Sequence, residues 1–222
     1  MKNIKKLFSI SHCSSTMIAG GYIMNGALTI KSLAELELGH VRQAAEIFVE
    51  SYYQSLSFLS EHPNTIVDAI VHSFIRERYY AGVLDGNVVG IVACSTKEGR
   101  SHRFDPKEFI LRFGLFKGYI GYRRLRSSLE KPLELNSGQC YIESVATDTA
   151  FRGMGISTQL QQHLLEHLEF DEFILEVEPE NYVAVQLYEK LGFSIIESQT
   201  ESKGNRFGKG PSRVMMHKII PK

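Results

Sequence analysis

The chain has 222 residues, enough for one sizeable domain that buries roughly 70% of its unfolded surface without a disulfide or metal staple. Hydrophobic residues make up 43% and charged residues 23%, and 25 Lys and Arg balance 25 Asp and Glu. That balance means global charge says nothing about partners and only local clustering can, and the lack of an apolar run of about 18 residues excludes a hydrophobic membrane-spanning helix.

Residues 1–26 read as a poorly ordered extension. Basic "MKNIKKLF" followed by mildly apolar "STMIAGGYIM" imitates a signal peptide, but Ser9, Ser11, His12, Ser14 and Ser15 interrupt the apolar region. Met24 offers an alternative start. Cys13, Cys94 and Cys140 are odd in number and far apart. They suit a reducing cytoplasm, with Cys94 and Cys140 expected as small buried thiols.

From residue 27 to about 220 the pattern is that of one domain. "ALTIKSL" (27–33) alternates as a strand. Residues 37–56 carry Val41, Ala44 or Ala45, Phe48, Val49 and Tyr52 at helical spacing. Pro63 opens a second helix expected to place Ile66, Ala69 or Ile70 and Phe74 on one face. Residues 79–96 form a hairpin around Asp85-Gly86-Asn87, residues that tolerate positive φ. The 100–135 stretch is an insertion whose first part, residues 100–126, interleaves Arg100, Arg103, Lys107, Arg112, Lys117, Arg123, Arg124 and Arg126 with six aromatic residues. Asp105-Pro106 starts a helix there, and Gly114, Gly118 and Gly121 predict that it breaks. This basic, aromatic segment could serve a nucleic acid or an anionic surface, or simply pack its rings and leave its charges solvated.

Residues 139–147, "QCYIESVAT", read as a strand, 156–168 as a helix, 172–179 as a strand and 181–193 as a short helix. Two final strands, "FSIIESQT" and "SRVMMHKII", flank a Gly-rich basic loop at 203–210. Between the 139–147 strand and its following helix lies "AFRGMGIST". Gly153 and Gly155 permit φ > 0 and a close approach of backbone N–H groups. The helix N-terminus supplies unpaired donors, and Arg152 a full positive charge. Such a turn can hold a phosphate, or can be a tight connection that binds nothing; a lone GxG does not decide. In "NYVAVQLYEKLGF", Tyr188 lies seven residues after Asn181, so both occupy one helix face.

The two motifs, "YIESVATDTAFRGMGIS" and "NYVAVQLYEKLGF", resemble in order and spacing the GNAT superfamily of N-acetyltransferases, over residues 28 to about 219. The resemblance implies an α/β (α+β) fold with a mixed, splayed central β-sheet of about six to seven strands flanked by helices. It implies acetyl-coenzyme A as acyl donor, bound in the V between the fourth and fifth strands, and no metal. Arg152, Gly153, Met154, Gly155, Ile156 and Ser157 would cradle its pyrophosphate. The backbone of Val145, Ala146 and Thr147 would meet the pantetheine arm, and Asn181 would also touch the cofactor. Ser157 stands where Gly or Ala is usual, and Thr149 where proline is common.

The chemistry implied is acetyl transfer to the amine of a small molecule or peptide. Tyr188 matches the family's acid for the departing thiolate. Glu143 is the candidate base, two strand residues before Val145 and so expected on the same sheet face. His40, His62, His72 and His102 are alternatives by intrinsic pKa, and none has a partner at metal-ligand spacing. Tyr52, Tyr53, Glu61 and His62, with residues 200–212, are candidates for an amine pocket. A homodimer is compatible with the sequence but not demanded by it. The rival readings are a non-catalytic acetyl-coenzyme A sensor and a binding module built on residues 100–126.

Overall fold

The computed structural model describes residues 17–19, 22–24, 26–196 and 213–221. Most of the expected N-terminal extension and the Gly-rich 203–210 loop lie outside the described residues. Within the extension, Met17–Ala19 pairs antiparallel with Tyr22–Met24.

A seven-stranded mixed sheet is built from β1 (Thr29–Ser32), β2 (Tyr79–Leu84), β3 (Asn87–Ser95), β4 (Gln139–Thr147), β5 (Glu172–Val177), β6 (Ser194–Ile195) and β7 (Val214–Ile219), in the order β1-β2-β3-β4-β5-β7-β6. Every pairing is antiparallel except β4 with β5. Asp85 and Gly86, at φ 48° and 79°, make the tight β2–β3 turn that the sequence signals.

Helices cover both faces, so β3 is buried along nearly its whole length. On one face lie α1 (Leu38–Ser51), α2 (Tyr53–Leu56), α3 (Pro63–Ile70), α4 (Pro106–Phe113) and α5 (Leu115–Leu129), around a core that includes Phe48, Ile66, Ile70, Ile91, Ala93 and Phe109. On the other lie α6 (Ile156–His167) and α7 (Tyr182–Lys190), over a second core that includes Val92, Ile142, Leu160, Leu164, Phe173 and Tyr188. A fully buried aliphatic or aromatic side chain contributes about 1.5–3 kcal/mol, so these two layers supply most of the driving force. Gly90 on β3 lets α6 press close: a Cβ there would stand 2.7 Å from Ile156 Cγ2.

Three local expectations are revised. The first helix breaks at Tyr52 (φ −108°, ψ 18°), which turns the Tyr52 ring towards the sheet. The second helix ends at Ile70 and passes through a 3-10 turn, so Phe74 is extended and bridges to His102. Cys94 and Cys140 lie on neighbouring strands and form a disulfide, Cα to Cα 6.1 Å, where separate thiols were expected. The helix break foreseen in the insertion falls at Gly114 (φ 77°), and Asp105 caps α4 by accepting from the Lys107 N–H at 2.8 Å.

Candidate active site

The site starts from one extra residue in β4. Ala93 faces Glu143 and Ile91 faces Ala146, so two steps along β3 match three along β4. The surplus is absorbed at Ser144, which takes φ 56°, a left-handed conformation that costs a non-glycine residue about 1–2 kcal/mol. A bulge of this kind bends and twists its strand. Pairing with β5 runs only from Gln139↔Glu172 to Ile142↔Leu175, and beyond it β4 and β5 part.

The bulge overturns the expectation that Glu143 and Val145 share a face. Glu143 opposes Ala93 on the α1 side, whereas Val145 packs with the α6 core, and Ala146 returns to the α1 side. Simple alternation fails because Ser144 interrupts it.

Beyond the open end of β4, the 3-10 turn Thr149–Phe151 leads into the glycine turn. Gly153 and Gly155 adopt φ 77° and 76°, and a Cβ added to either would meet nothing within 4 Å. Gly155 is the N-cap of α6 and no side chain caps that helix, so its first N–H groups face outward with the positive end of the dipole. The Arg152 Nε–H reaches the Thr147 carbonyl at 3.4 Å. Arg152, Gly153, Met154, Gly155, Ile156 and Ser157 therefore form an open, donor-rich turn next to the parted strands, a fit for a phosphate or pyrophosphate. Asn181 commits its Oδ1 to the Ala184 N–H at 3.2 Å, capping α7.

Tyr188 is carried by α7 into the second core, 7% exposed, with its ring 5.9 Å from that of Phe193. Burial alone pushes its pKa up to about 12, so the phenol keeps its proton at neutral pH. From the opposite side Tyr52 donates its hydroxyl to the Val145 carbonyl at 3.1 Å. Burial raises the Tyr52 pKa, the neighbouring Tyr188 and Glu143 add to the rise, and Arg213 opposes it. Two phenols, one from the break between α1 and α2 and one from α7, thus converge where β4 leaves β5. Arg213, at the start of β7, lies 3.8 Å from Glu176.

Glu143 sits in a different setting from that of a free base. Its carboxylate accepts from the Ser101 Oγ–H at 2.6 Å, the Ser101 N–H at 3.3 Å, the Arg100 Nε–H at 3.4 Å, Arg100 Nη2 and the Ser95 hydroxyl. Both charged side chains are 9% exposed. Burial by itself would raise the Glu143 pKa. The hydrogen bond and charge of Arg100, aided by Ser101 and Ser95, outweigh it and hold the carboxyl below its ordinary range. A carboxylate so engaged is a weak proton acceptor.

A second buried polar chain supports the bulge. Ser73 donates its only hydroxyl proton to the Ile70 carbonyl at 2.6 Å, so His102 Nδ1–H must donate to Ser73 Oγ at 2.8 Å. That leaves His102 Nε2 to accept from the Tyr79 O–H at 2.7 Å, and Tyr79 Oη lies 3.1 Å from Ser144 Oγ. Burial lowers the His102 pKa to about 4, with the Glu143 charge opposing, so the ring is neutral. Of the other histidines, His40 meets the Gly86 carbonyl at 3.2 Å, His72 accepts from the Asp105 N–H at 2.8 Å, and His62 is an exposed residue at the start of α3.

The expected amine pocket divides. Tyr52 reaches β4, whereas Tyr53 turns back to the Glu61 carbonyl at 3.0 Å, and Glu61 and His62 are exposed. Residues 200–212 lie outside the described residues. Sequence reasoning missed the roles of Arg100, Tyr79, Ser144 and Arg213. Only Arg100 stood out, as part of a basic cluster, and nothing local pointed it at Glu143.

A family model described as the acetyltransferase (GNAT) family matches residues 42–193. No curated protein matches significantly. Among solved structures, an acetyltransferase superposes with TM-score 0.56 at 20% identity, covering 87% of this chain and all of its own. An N-acetyltransferase from Staphylococcus aureus gives 0.52 at 18%, covering 86% of this chain and all of its own. Diaminobutyrate acetyltransferase from Paenibacillus lautus, solved with L-2,4-diaminobutyric acid and coenzyme A, gives 0.51 at 10%, covering 86% and 94%. At these identities the likeness is one of fold. The family model spans well over half the chain and takes in both the glycine turn and the Tyr188 helix, so the protein belongs to the acetyltransferase (GNAT) family.

Proposed function

We propose that residues 27–220 act as one domain that transfers an acetyl group from acetyl-coenzyme A to a primary amine of a small molecule or peptide, by direct attack in a ternary complex. The observation that carries this reading is the convergence, at the parting of β4 and β5, of an open glycine turn on an uncapped helix and a buried, protonated Tyr188. A protein of similar fold solved with its substrate L-2,4-diaminobutyric acid and coenzyme A supports it.

The donor supplies an activated acyl group on sulfur. Arg152 and the N–H groups from Gly153 to Ser157 would hold its pyrophosphate, and the backbone of Val145, Ala146 and Thr147 its extended arm. An amine attacks only as the free base, so a C–N bond forms as the C–S bond breaks, with one proton leaving nitrogen and one reaching sulfur. In this reading Tyr188 Oη–H would give the proton to sulfur and recover one from nitrogen. A phenol near pKa 12 does not protonate a thiolate of about 8.5 unaided. The cationic nitrogen formed beside it makes the exchange favourable, since a nearby positive charge lowers a phenol's pKa. Tyr52, held on the Val145 carbonyl, would fix the strand that faces the reacting carbonyl.

The test is thiol release from acetyl-coenzyme A with a panel of diamines, polyamines, aminoglycosides, amino acids and peptides, comparing wild type with Tyr188→Phe. Amine-dependent release that falls at least tenfold in the variant, about 1.4 kcal/mol in barrier, is expected. Cofactor binding by calorimetry without turnover on any amine would favour a sensor, and loss of binding as well would refute the reading.

A further inference from the structure

The α4–α5 hairpin has two faces of opposite construction. Inward, it is locked: a Cβ on Gly118 would stand 2.4 Å from the Phe109 carbonyl oxygen, and one on Gly121 2.3 Å from Leu59 Cδ2. Phe104, Phe109 and Leu125 are buried beneath it, and Arg124 stacks on the Phe58 ring at 4.1 Å. The hairpin therefore cannot roll to bury its other side. Outward, it shows Phe116 83% exposed, Leu111 70%, Ile120 65% and Leu115 64%, with Tyr119 beside them. Positions 115, 116, 119, 120 and 123 fall on one stripe of α5. An apolar stripe that points away from the core is the reverse of what a surface helix needs for its own fold.

Charge selects what the stripe meets. Between Glu108 and Glu130 the sequence holds five cations, Arg112, Lys117, Arg123, Arg124 and Arg126, and no acid. Arg124 is used on Phe58, and Arg126 pairs with Glu130 at 3.4 Å. Arg112, Lys117 and Arg123 have no carboxylate partner among the described residues and flank the apolar side chains. The chain as a whole has a formal net charge of zero, so this concentration is local. A second copy docking face to face would oppose one cationic stripe with another. Nucleic acid would leave the exposed aliphatic side chains Leu111, Leu115 and Ile120 without a stacking role, because single strands are held by aromatic platforms and backbone-tracking charge. Aliphatic and aromatic side chains ringed by Lys and Arg match the boundary between anionic headgroups and acyl chains.

We propose that the α4–α5 hairpin docks the protein peripherally on an anionic bilayer. Leu111, Leu115, Phe116 and Ile120 enter the interface, and Arg112, Lys117 and Arg123 meet the headgroups. No described helix is long and apolar enough to cross a membrane, so the attachment is to one surface.

The full chain is tested by flotation with vesicles of phosphatidylcholine alone, or with phosphatidylglycerol added, at low and high salt. Three variants are used: Phe116→Ser with Ile120→Ser, Arg112→Glu with Lys117→Glu and Arg123→Glu, and Phe116→Trp. The chain has no tryptophan, so Phe116→Trp introduces a lone indole whose emission can be excited selectively over the tyrosines. Expected are at least tenfold stronger partitioning to the anionic vesicles, at least tenfold loss in either multiple variant at unchanged thermal midpoint, and a blue-shifted indole emission from the Phe116→Trp variant on binding. Binding that survives the serine variant, or no blue shift, overturns the proposal, because the apolar stripe would then stay out of the bilayer. So does equal partitioning to neutral and anionic vesicles, or none. Oligonucleotide binding without vesicle binding overturns it in favour of nucleic acid. A dimer dissolved by the serine variant, again without vesicle binding, overturns it in favour of a second copy.

Discussion

Replacing Glu143 with glutamine separates a structural ion pair from a catalytic base. The carboxylate accepts on one oxygen from Ser95, both Ser101 groups and Arg100 Nε, and on the other from Arg100 Nη2. A glutamine has one acceptor oxygen. If that oxygen stays with Ser95 and Ser101, the new NH2 group points at the guanidinium, and donor faces donor. Arg100 is then a buried cation with no counter-charge, the situation that costs about 3–5 kcal/mol. Against a total stability of about 5–15 kcal/mol this is severe, and at roughly 2–4 °C per kcal/mol it lowers the thermal midpoint by about 10 °C. Adding Arg100→Met removes the orphaned charge, so the double variant should be more stable than the sum of the single losses by at least about 1 kcal/mol. The pH dependence has a definite sign. The folded-state pKa of Glu143 is depressed, so its contribution is complete above the unfolded value of about 4.3 and is lost as pH falls through the folded one. Glu143→Gln should flatten that acid limb. Urea midpoints from pH 7 downwards for wild type and the three variants provide the measurement. A Glu143→Gln variant with near wild-type stability and a kcat reduced by about 100-fold would refute this reasoning and make Glu143 the proton acceptor.

Other outcomes follow from the same geometry. His102, 3% exposed with a pKa of about 4, binds its proton more weakly folded than unfolded, where the value is about 6.5. Its share of stability is therefore present above pH 6.5 and lost between there and pH 4, to the extent of roughly 3 kcal/mol. Urea midpoints across that window should show the loss in wild type and not in His102→Gln. At Gly155, φ 76° with open space around the missing Cβ means that Gly155→Ala costs about 1–2 kcal/mol of backbone strain without a clash. It should raise KM for acetyl-coenzyme A more than it lowers kcat, and an unchanged KM would argue against this turn as the phosphate cradle. Tyr52→Phe removes the 3.1 Å bond to the Val145 carbonyl. It should cost about 1 kcal/mol in denaturant titration and lower kcat with little change in cofactor affinity.

Local spacing in the sequence determined most of the elements but not where they break: Tyr52 and Phe74, at helical spacing, lie at a helix break and in extended backbone. Alternation marked β1 and β5, β-branched runs marked β2 and β3, and Asp85-Gly86 marked the turn between those two. Asp105 and Asn181 marked helix starts, and Gly153 with Gly155 marked the open turn that the structure shows at φ 77° and 76°. The two motifs also pointed to the family, because their residues and their order along the chain are read directly from the sequence. Tertiary structure alone decided the rest. Whether Glu143 shares a face with Val145 depends on a register shift against β3, which no pattern within β4 reveals. Arg100, 43 residues from Glu143, and Tyr79, 65 from Ser144, become partners only when β2, β3 and the insertion close on β4. The direction of a pKa shift depends on that closure too, because burial and neighbouring charge are properties of the packed chain. Glu143 looked like a base in sequence, and its surroundings hold it as a clamped anion.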